Sequence, residues 1–172
     1  MNKKESARLT ACRAIIRSAE KAQPTKTNLH GCWHTRDGLT VVSDGYRAVR
    51  VTMDSSPLPS APGMDRVVES IEHCKANATI PVRRVPDATY LADYIKEAKA
   101  NGRVDCFGNV LYFLDGGEAG EICVNAVYLL DMIKALPVAN VRVSKERLSP
   151  LYFRSGDSDG VLCPRAYKRK EA

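Results

Sequence analysis

A chain of 172 residues, 44% hydrophobic and 27% charged, has an ordinary globular composition and the length for one well-buried core. The net charge of +6 favours a polyanionic partner, although 26 basic against 20 acidic residues is a modest excess spread along the chain. No apolar run approaches the roughly 20 residues that span a bilayer, and Met1 to Ser6 leads into an amphipathic segment instead of a signal-peptide core, so a cytoplasmic protein with no membrane partner is expected. Cys12, Cys32, Cys74, Cys106, Cys123 and Cys163 are scattered singly, with no Cys-x-x-Cys pair, the pattern of buried reduced thiols.

From Lys4 to Ala22, Leu9, Cys12, Ile16 and Ala19 recur at helical spacing while Arg13, Arg17 and Lys21 step by four along another face. The basic stripe is open to two readings, a solvated helix face or an anion-binding surface. Pro24 ends the helix. Leu29 to Thr35, Leu39 to Ser43 and Tyr46 to Met53 then read as a three-stranded meander, turned by Arg36-Asp37-Gly38 and by Asp44-Gly45. His30, Cys32 and His34 share one face of the first strand, a geometry a metal could use. No fourth ligand is near in sequence, so the expectation is a half-buried strand face and no metal.

Three prolines between Asp54 and Gly63 make that stretch a loop. Met64 to Ala76 reads as a helix, Ile80 to Val85 as an edge or irregular strand interrupted by Pro81, and Asp87 to Asn101 as a stronger helix capped by Asp87 or Thr89. Val104 to Phe107 and Val110 to Leu114 are strand candidates around Gly108-Asn109. Ile122 to Val124 is a short strand leading into a helix from Ala126 to Leu136, stopped by Pro137. That helix carries only Asp131 and Lys134 as charges, so it must be covered, and a sheet built by the downstream chain is the expected cover. The downstream candidates are Asn140 to Ser144, Leu151 to Arg154 and Gly160 to Pro164, with a turn over Gly156 to Gly160 and a basic tail over residues 166–172.

The two ends share a plan of amphipathic helix followed by meander. The expectation is an α+β chain of one domain with a first half-repeat at 1–53, an insertion at 54–120 and a second half-repeat at 121–165. Leu39-Thr40-Val41-Val42-Ser43-Asp44-Gly45-Tyr46-Arg47-Ala48-Val49 resembles the strand, Thr-Asp-Gly-(His/Tyr)-Arg turn and strand of bacterial sliding clamps, the beta subunit of DNA polymerase III. Val124 to Leu136 resembles the same family's Phe-Asn-x-x-Tyr-Leu-Leu-Asp-x-Leu-Lys-x-Leu helix, and Leu162-Cys163-Pro164-Arg165 stands where the family ends in Met-Pro-Met-Arg. The resemblance implies a DNA-clamp-like fold in a single-domain protein of the kind a phage or mobile element carries, whereas a complete clamp chain has three such domains.

By that resemblance the helices face duplex DNA, with Arg13, Arg17, Lys21 and Lys134 on phosphates. Leu162, Cys163 and Pro164 border a groove for replication proteins. The implied function is non-enzymatic, in DNA replication or repair, as a homo-oligomer without cofactor. The alternative is an adaptor of the same fold that binds a protein partner and no DNA. A metal protein or enzyme centred on His30, Cys32 and His34 is the third reading, and the sequence carries no phosphate loop or nucleophile elbow in its favour.

Overall fold

A computed structural model describes residues 3–21, 30–34, 38–53, 58, 65–146 and 148–167, and the side chains among them except those of residues 4 and 30–34. Within these residues the chain is α+β, with four α-helices and a mostly antiparallel set of strands. The first helix, α1 (Lys3–Lys21), is followed by β1 (His30–His34), β2 (Thr40–Asp44) and β3 (Arg47–Val51). Then come α2 (Asp65–Asn77), β4 (Ile80–Pro81), α3 (Ala88–Ala100), β5 (Leu111–Asp115) and β6 (Glu121–Asn125). The last part is α4 (Ala126–Ala135), β7 (Asn140–Val143), β8 (Leu151–Ser155) and β9 (Ser158–Leu162).

Seven strands form one sheet in the order β1-β2-β3-β9-β8-β7-β4, and β5 and β6 form a hairpin beside it. Apart from β4 at one edge, the order is symmetric about the junction of β3 and β9. Each meander contributes its third strand to the seam, where β3 and β9 pair antiparallel with Arg47 opposite Leu162 and Arg50 opposite Asp159. The turn before each of these strands begins with a glycine at positive φ, Gly45 at 85° and Gly156 at 63°, the conformation glycine takes without steric cost. Val49 and Gly160 are each the fourth residue after that glycine, and they pair directly with one another. Equivalent residues therefore meet at the seam, and an approximate two-fold axis passes through this pair.

The register corrects both turns. Ser43 pairs with Ala48, so Gly45-Tyr46 is the loop and Asp44 is its anchor, with Oδ1 accepting from the Tyr46 and Arg47 amides at 3.0 Å each. Ser155 pairs with Ser158, so the expected five-residue turn shrinks to Gly156-Asp157 and β9 starts two residues before the expected Gly160. The cause is Asp159, which turns inward to an arginine and belongs to the strand. The expected strand at Val104 to Phe107 is also replaced by a turn, because the Asp105 carboxylate accepts from the Phe107 and Asn109 amides at 2.9 and 2.8 Å and curls the chain.

Both faces of the sheet are covered. On one face Val42, Val49, Val51, Leu151, Phe153 and Leu162 meet α1, α3 and α4 in the main core. On the other, Val41, Ala48, Tyr152 and Val161 meet Val67, Ile71 and Cys74 of α2. This double coverage makes β2, β3 and β9 buried at every residue instead of alternating. The helix α4 lies between α1 and α3 and rests on β3, β6 and β9, so the expected cover by its downstream sheet is only partly right. Arg8 donates from Nε to the Ala135 carbonyl at 3.0 Å, and Ser18 and Tyr128 share a 3.5 Å hydroxyl contact, which sets α1 antiparallel to α4. The stretch between the two half-repeats is woven into the same body: α2 covers the sheet, α3 packs on α4 and β5 pairs with β6.

Charged groups pin each layer to the seam. Arg50 makes a bidentate pair with Asp159 at 2.8 Å to each oxygen and reaches Glu72 of α2 at 2.7 Å, while the Tyr152 hydroxyl donates to Asp159 at 3.0 Å. These partners, Asp159 foremost, hold the Arg50 guanidinium above its ordinary pKa, and burial beside Asp159 pushes the Tyr152 phenol up to about 12. On the opposite face Arg47 bridges Asp44 at 3.0 Å and Asp131 of α4 at 2.7 Å, with its guanidinium 4.1 Å from the centre of the Tyr128 ring.

The seam has no room for a side chain at its centre. A methyl group on Gly160 would stand 2.5 Å from the Ala48 carbonyl oxygen and 3.0 Å from Met132. Gly160→Ala is expected to lower unfolding stability by about 1–3 kcal/mol in chemical denaturation, because backbone on one side leaves only the helix layer to give way.

Candidate nucleic-acid face and peptide groove

The basic stripe of α1 lies on its solvent side. Leu9, Ala11, Cys12, Ile15, Ile16 and Ala19 are buried, and Arg13, Arg17 and Lys21 are exposed. Lys134 is the exposed cation of α4. None of these four forms an ion pair among the described residues, so their charge is available to an outside anion. The antiparallel packing spreads them out: Lys134 lies near the α1 N-terminus, beside Lys3 and Ala7, and Lys21 lies at the other end. At 1.5 Å per residue this makes a line of roughly 20 Å along the helix layer, not a compact pocket. Lys3 extends the line and was missed, because the step-by-four pattern from Arg13 does not reach it. Arg8 is basic but committed, donating to the Ala135 and Thr52 carbonyls.

A groove of about 460 Å³ runs between the β5–β6 hairpin and the segments that follow β7 and β9. Ile122 and Val143 line it, with Leu148 and Pro164 among the apolar contributors; the Phe113 and Tyr167 rings meet edge to face at 5.1 Å along it. Lys145, paired with Glu118 at 3.5 Å, and Arg165 make its polar margin. Of the three residues expected to meet a partner, Pro164 borders this groove. Leu162 does not: it is 0% exposed and its side chain belongs to the core. Cys163 is half-buried against the other side of the sheet, its amide donates to the Tyr46 carbonyl at 2.8 Å, and burial raises its thiol pKa. The inward side of a strand alternates with the outward side, which separates Leu162 from Cys163.

The groove margin is held by a network between residues distant in sequence. The Arg165 amide donates to the Cys123 carbonyl at 2.8 Å and its guanidinium to Asp105 at 3.0 Å. Asp105 also accepts from Asn109, whose Oδ1 receives the Asn125 amide at 3.1 Å, and Asn125 caps α4 through the Val127 and Tyr128 amides. Sequence reasoning read Asn125 only as part of a family motif. Here it joins helix cap, turn and groove. Burial works to raise the Asp105 pKa, but the hydrogen bonds from Asn109 and Phe107 and the charge of Arg165 outweigh it and hold the carboxyl below its ordinary 3.8.

The side chains of His30, Cys32 and His34 lie outside the described set, and no group of three or more His, Cys, Asp or Glu is arranged to hold a metal among the described residues. No described helix is long and apolar enough to cross a membrane. No protein-family model, curated protein or solved structure matches the chain.

A carboxylate whose folded pKa is depressed stabilises the fold above its unfolded pKa and loses that contribution as pH falls through the folded value. Lowering the pH through and below 3.8 is therefore expected to loosen the 105–109 turn and Arg165 together. Amide hydrogen exchange should report this as a loss of protection at Phe107 and Asn109, taken against the intrinsic exchange rate at each pH, an acid response that Asp105→Asn abolishes.

Proposed function

We propose that this chain is a clamp-like, non-enzymatic protein of DNA replication or repair that lays its helix layer along the backbone of duplex DNA. The observation that carries the reading is the line of exposed cations Arg13, Arg17, Lys21 and Lys134 on two antiparallel helices, none of them in an ion pair among the described residues. The approximate two-fold relation between the two helix-and-meander halves is the duplicated plan that clamp domains have, and the family-like residues fall on both of its turning points, Asp44 to Arg47 and Asn125 to Asp131. Lysine and arginine on a helix face contact phosphates and read no bases, so the binding is independent of sequence. One such domain spans only part of the way around a duplex, and self-association supplies the remainder.

A second reading is favoured by the groove beside Pro164 and Arg165, which suits a short apolar peptide from a protein partner. It gives an adaptor of the same fold, and both surfaces can serve one protein because they do not overlap.

Anisotropy titration of a labelled duplex at several salt concentrations tests the DNA reading. Four phosphate contacts give a slope of log affinity against log salt of about −3.6, and Arg13→Ala with Arg17→Ala should reduce it to about −1.8 at any duplex sequence. Absence of binding at low salt removes DNA from the function and leaves the adaptor.

A further inference from the structure

The α2 side of the sheet carries a polar feature that neither the helix-layer cations nor the groove beside Pro164 uses. The register puts Arg50, Asp159 and Arg154 in one row across β3, β9 and β8, so Asp159 has an arginine on each side. It compensates one of them. Both Asp159 oxygens accept from Arg50 at 2.8 Å, and one also accepts from the Tyr152 hydroxyl at 3.0 Å. Arg154 is exposed, forms no ion pair among the described residues and donates from Nε to the Gly156 carbonyl at 3.4 Å.

Beside this row, α2 and the turn between β8 and β9 border a cleft of about 250 Å³, lined by Arg50, Lys75 and Arg154 together with Glu72, Asp157 and Ser158. At the volume water takes in the liquid, it holds about eight waters, which suits a small anion and not a drug-sized ligand. A side-chain oxyanion already stands there. The Glu72 carboxylate lies 2.7 Å from Arg50 Nη1 and 3.6 Å from Lys75 Nζ, on a half-exposed side chain. Arg50 keeps its bidentate bond to Asp159 without Glu72, so Glu72 can turn to solvent at a cost near that of a surface ion pair. A carboxylate has two oxygens, which here meet Arg50 and Lys75 and leave Arg154 unserved. A phosphoryl group has three, and the fork of an arginine binds two of them in parallel.

We propose that this cleft binds the phosphoryl group of a small phosphate ester, which displaces Glu72 and is held by Arg50 Nη1, Lys75 and Arg154. When no ligand is bound, Glu72 keeps the buried Arg50 compensated. The exposed carboxylate of Asp157, also on the cleft wall, repels a second phosphate, so the site takes one phosphoryl group and not a polyphosphate chain. The cleft lies across the sheet from Arg13, Arg17, Lys21 and Lys134, and its ligand binding is independent of the DNA reading.

Amide chemical-shift titration with inorganic phosphate, at an ionic strength held constant with sodium chloride, tests the site. Saturable shifts are expected at Lys75 and from Arg154 to Asp159. Arg154→Ala should weaken binding by at least about 10-fold and Arg154→Lys should recover part of the loss, while Glu72→Gln should tighten binding by about 2- to 5-fold, the factor set by release from an exposed ion pair. Unchanged thermal midpoints without phosphate verify that these variants fold. Acetate, with two oxygens, should bind at least about 10-fold more weakly than phosphate. Shifts that grow without saturating, an equal response to acetate, wild-type affinity in Arg154→Ala, or no gain in Glu72→Gln each overturn the proposal. Two further probes separate the sources of the phosphate. Glycerol phosphate that binds at least as tightly as inorganic phosphate supports the small ester, whereas a response to a duplex with a terminal phosphate and none to glycerol phosphate overturns it in favour of a nucleic-acid end.

Discussion

The pairing of β3 with β9 is the constraint on which the rest of the structure depends. It joins two meanders that are far apart in the chain, and it does so through Val49 and Gly160, equivalent positions of the two halves. The backbones approach so closely there that the side chain on one strand must be hydrogen. Once this register is set, Arg50 stands opposite Asp159 and Arg47 stands under Asp131, so each face of the sheet receives its helix with a charged clasp already in position.

These clasps specify as well as hold. Buried ion pairs repay their desolvation only when the geometry is good, and removing one partner costs about 3–5 kcal/mol by leaving the other uncompensated. Arg50 is satisfied by two carboxylates and Arg47 by two carboxylates and an aromatic face. A slip of the seam by one residue would turn Arg50 to the helix layer and Val49 to α2, stranding both sets of charges. The Asp131 carboxyl reflects the balance: burial raises its pKa, and Arg47 opposes that shift without cancelling it.

Much of this was legible in the sequence where local physics decides. The helices α1 to α4 and most strands follow from apolar spacing, Asp87 and Pro137 mark boundaries, and Pro81 marks an edge strand that pairs over two residues. What was not legible is whatever depends on a distant partner. Asp159 reads as turn chemistry until Arg50 is found opposite it, and Asp105 breaks an apparent strand because Asn109 and Arg165 converge on it. The candidate site divides in the same way. Exposure of Arg13, Arg17 and Lys21 follows from helix periodicity, whereas the burial of Leu162 follows from the packing of β9 under the helix layer.

A layer with helices on one side, a sheet in the middle and a single helix behind gives the chain two unlike surfaces. Among the described residues the three-helix side carries the line of Arg13, Arg17, Lys21 and Lys134 outside any ion pair, while on the α2 side Arg50 and Lys75 both reach Glu72. The proposed function puts duplex DNA on the three-helix side. Backbone amide chemical-shift mapping with a short duplex at low salt tests this most directly. Perturbations are expected along the exposed faces of α1 and α4, from Arg13 to Lys21 and at Lys134, with α2 unchanged. Perturbations confined to α2 or to the groove beside Pro164 would contradict it.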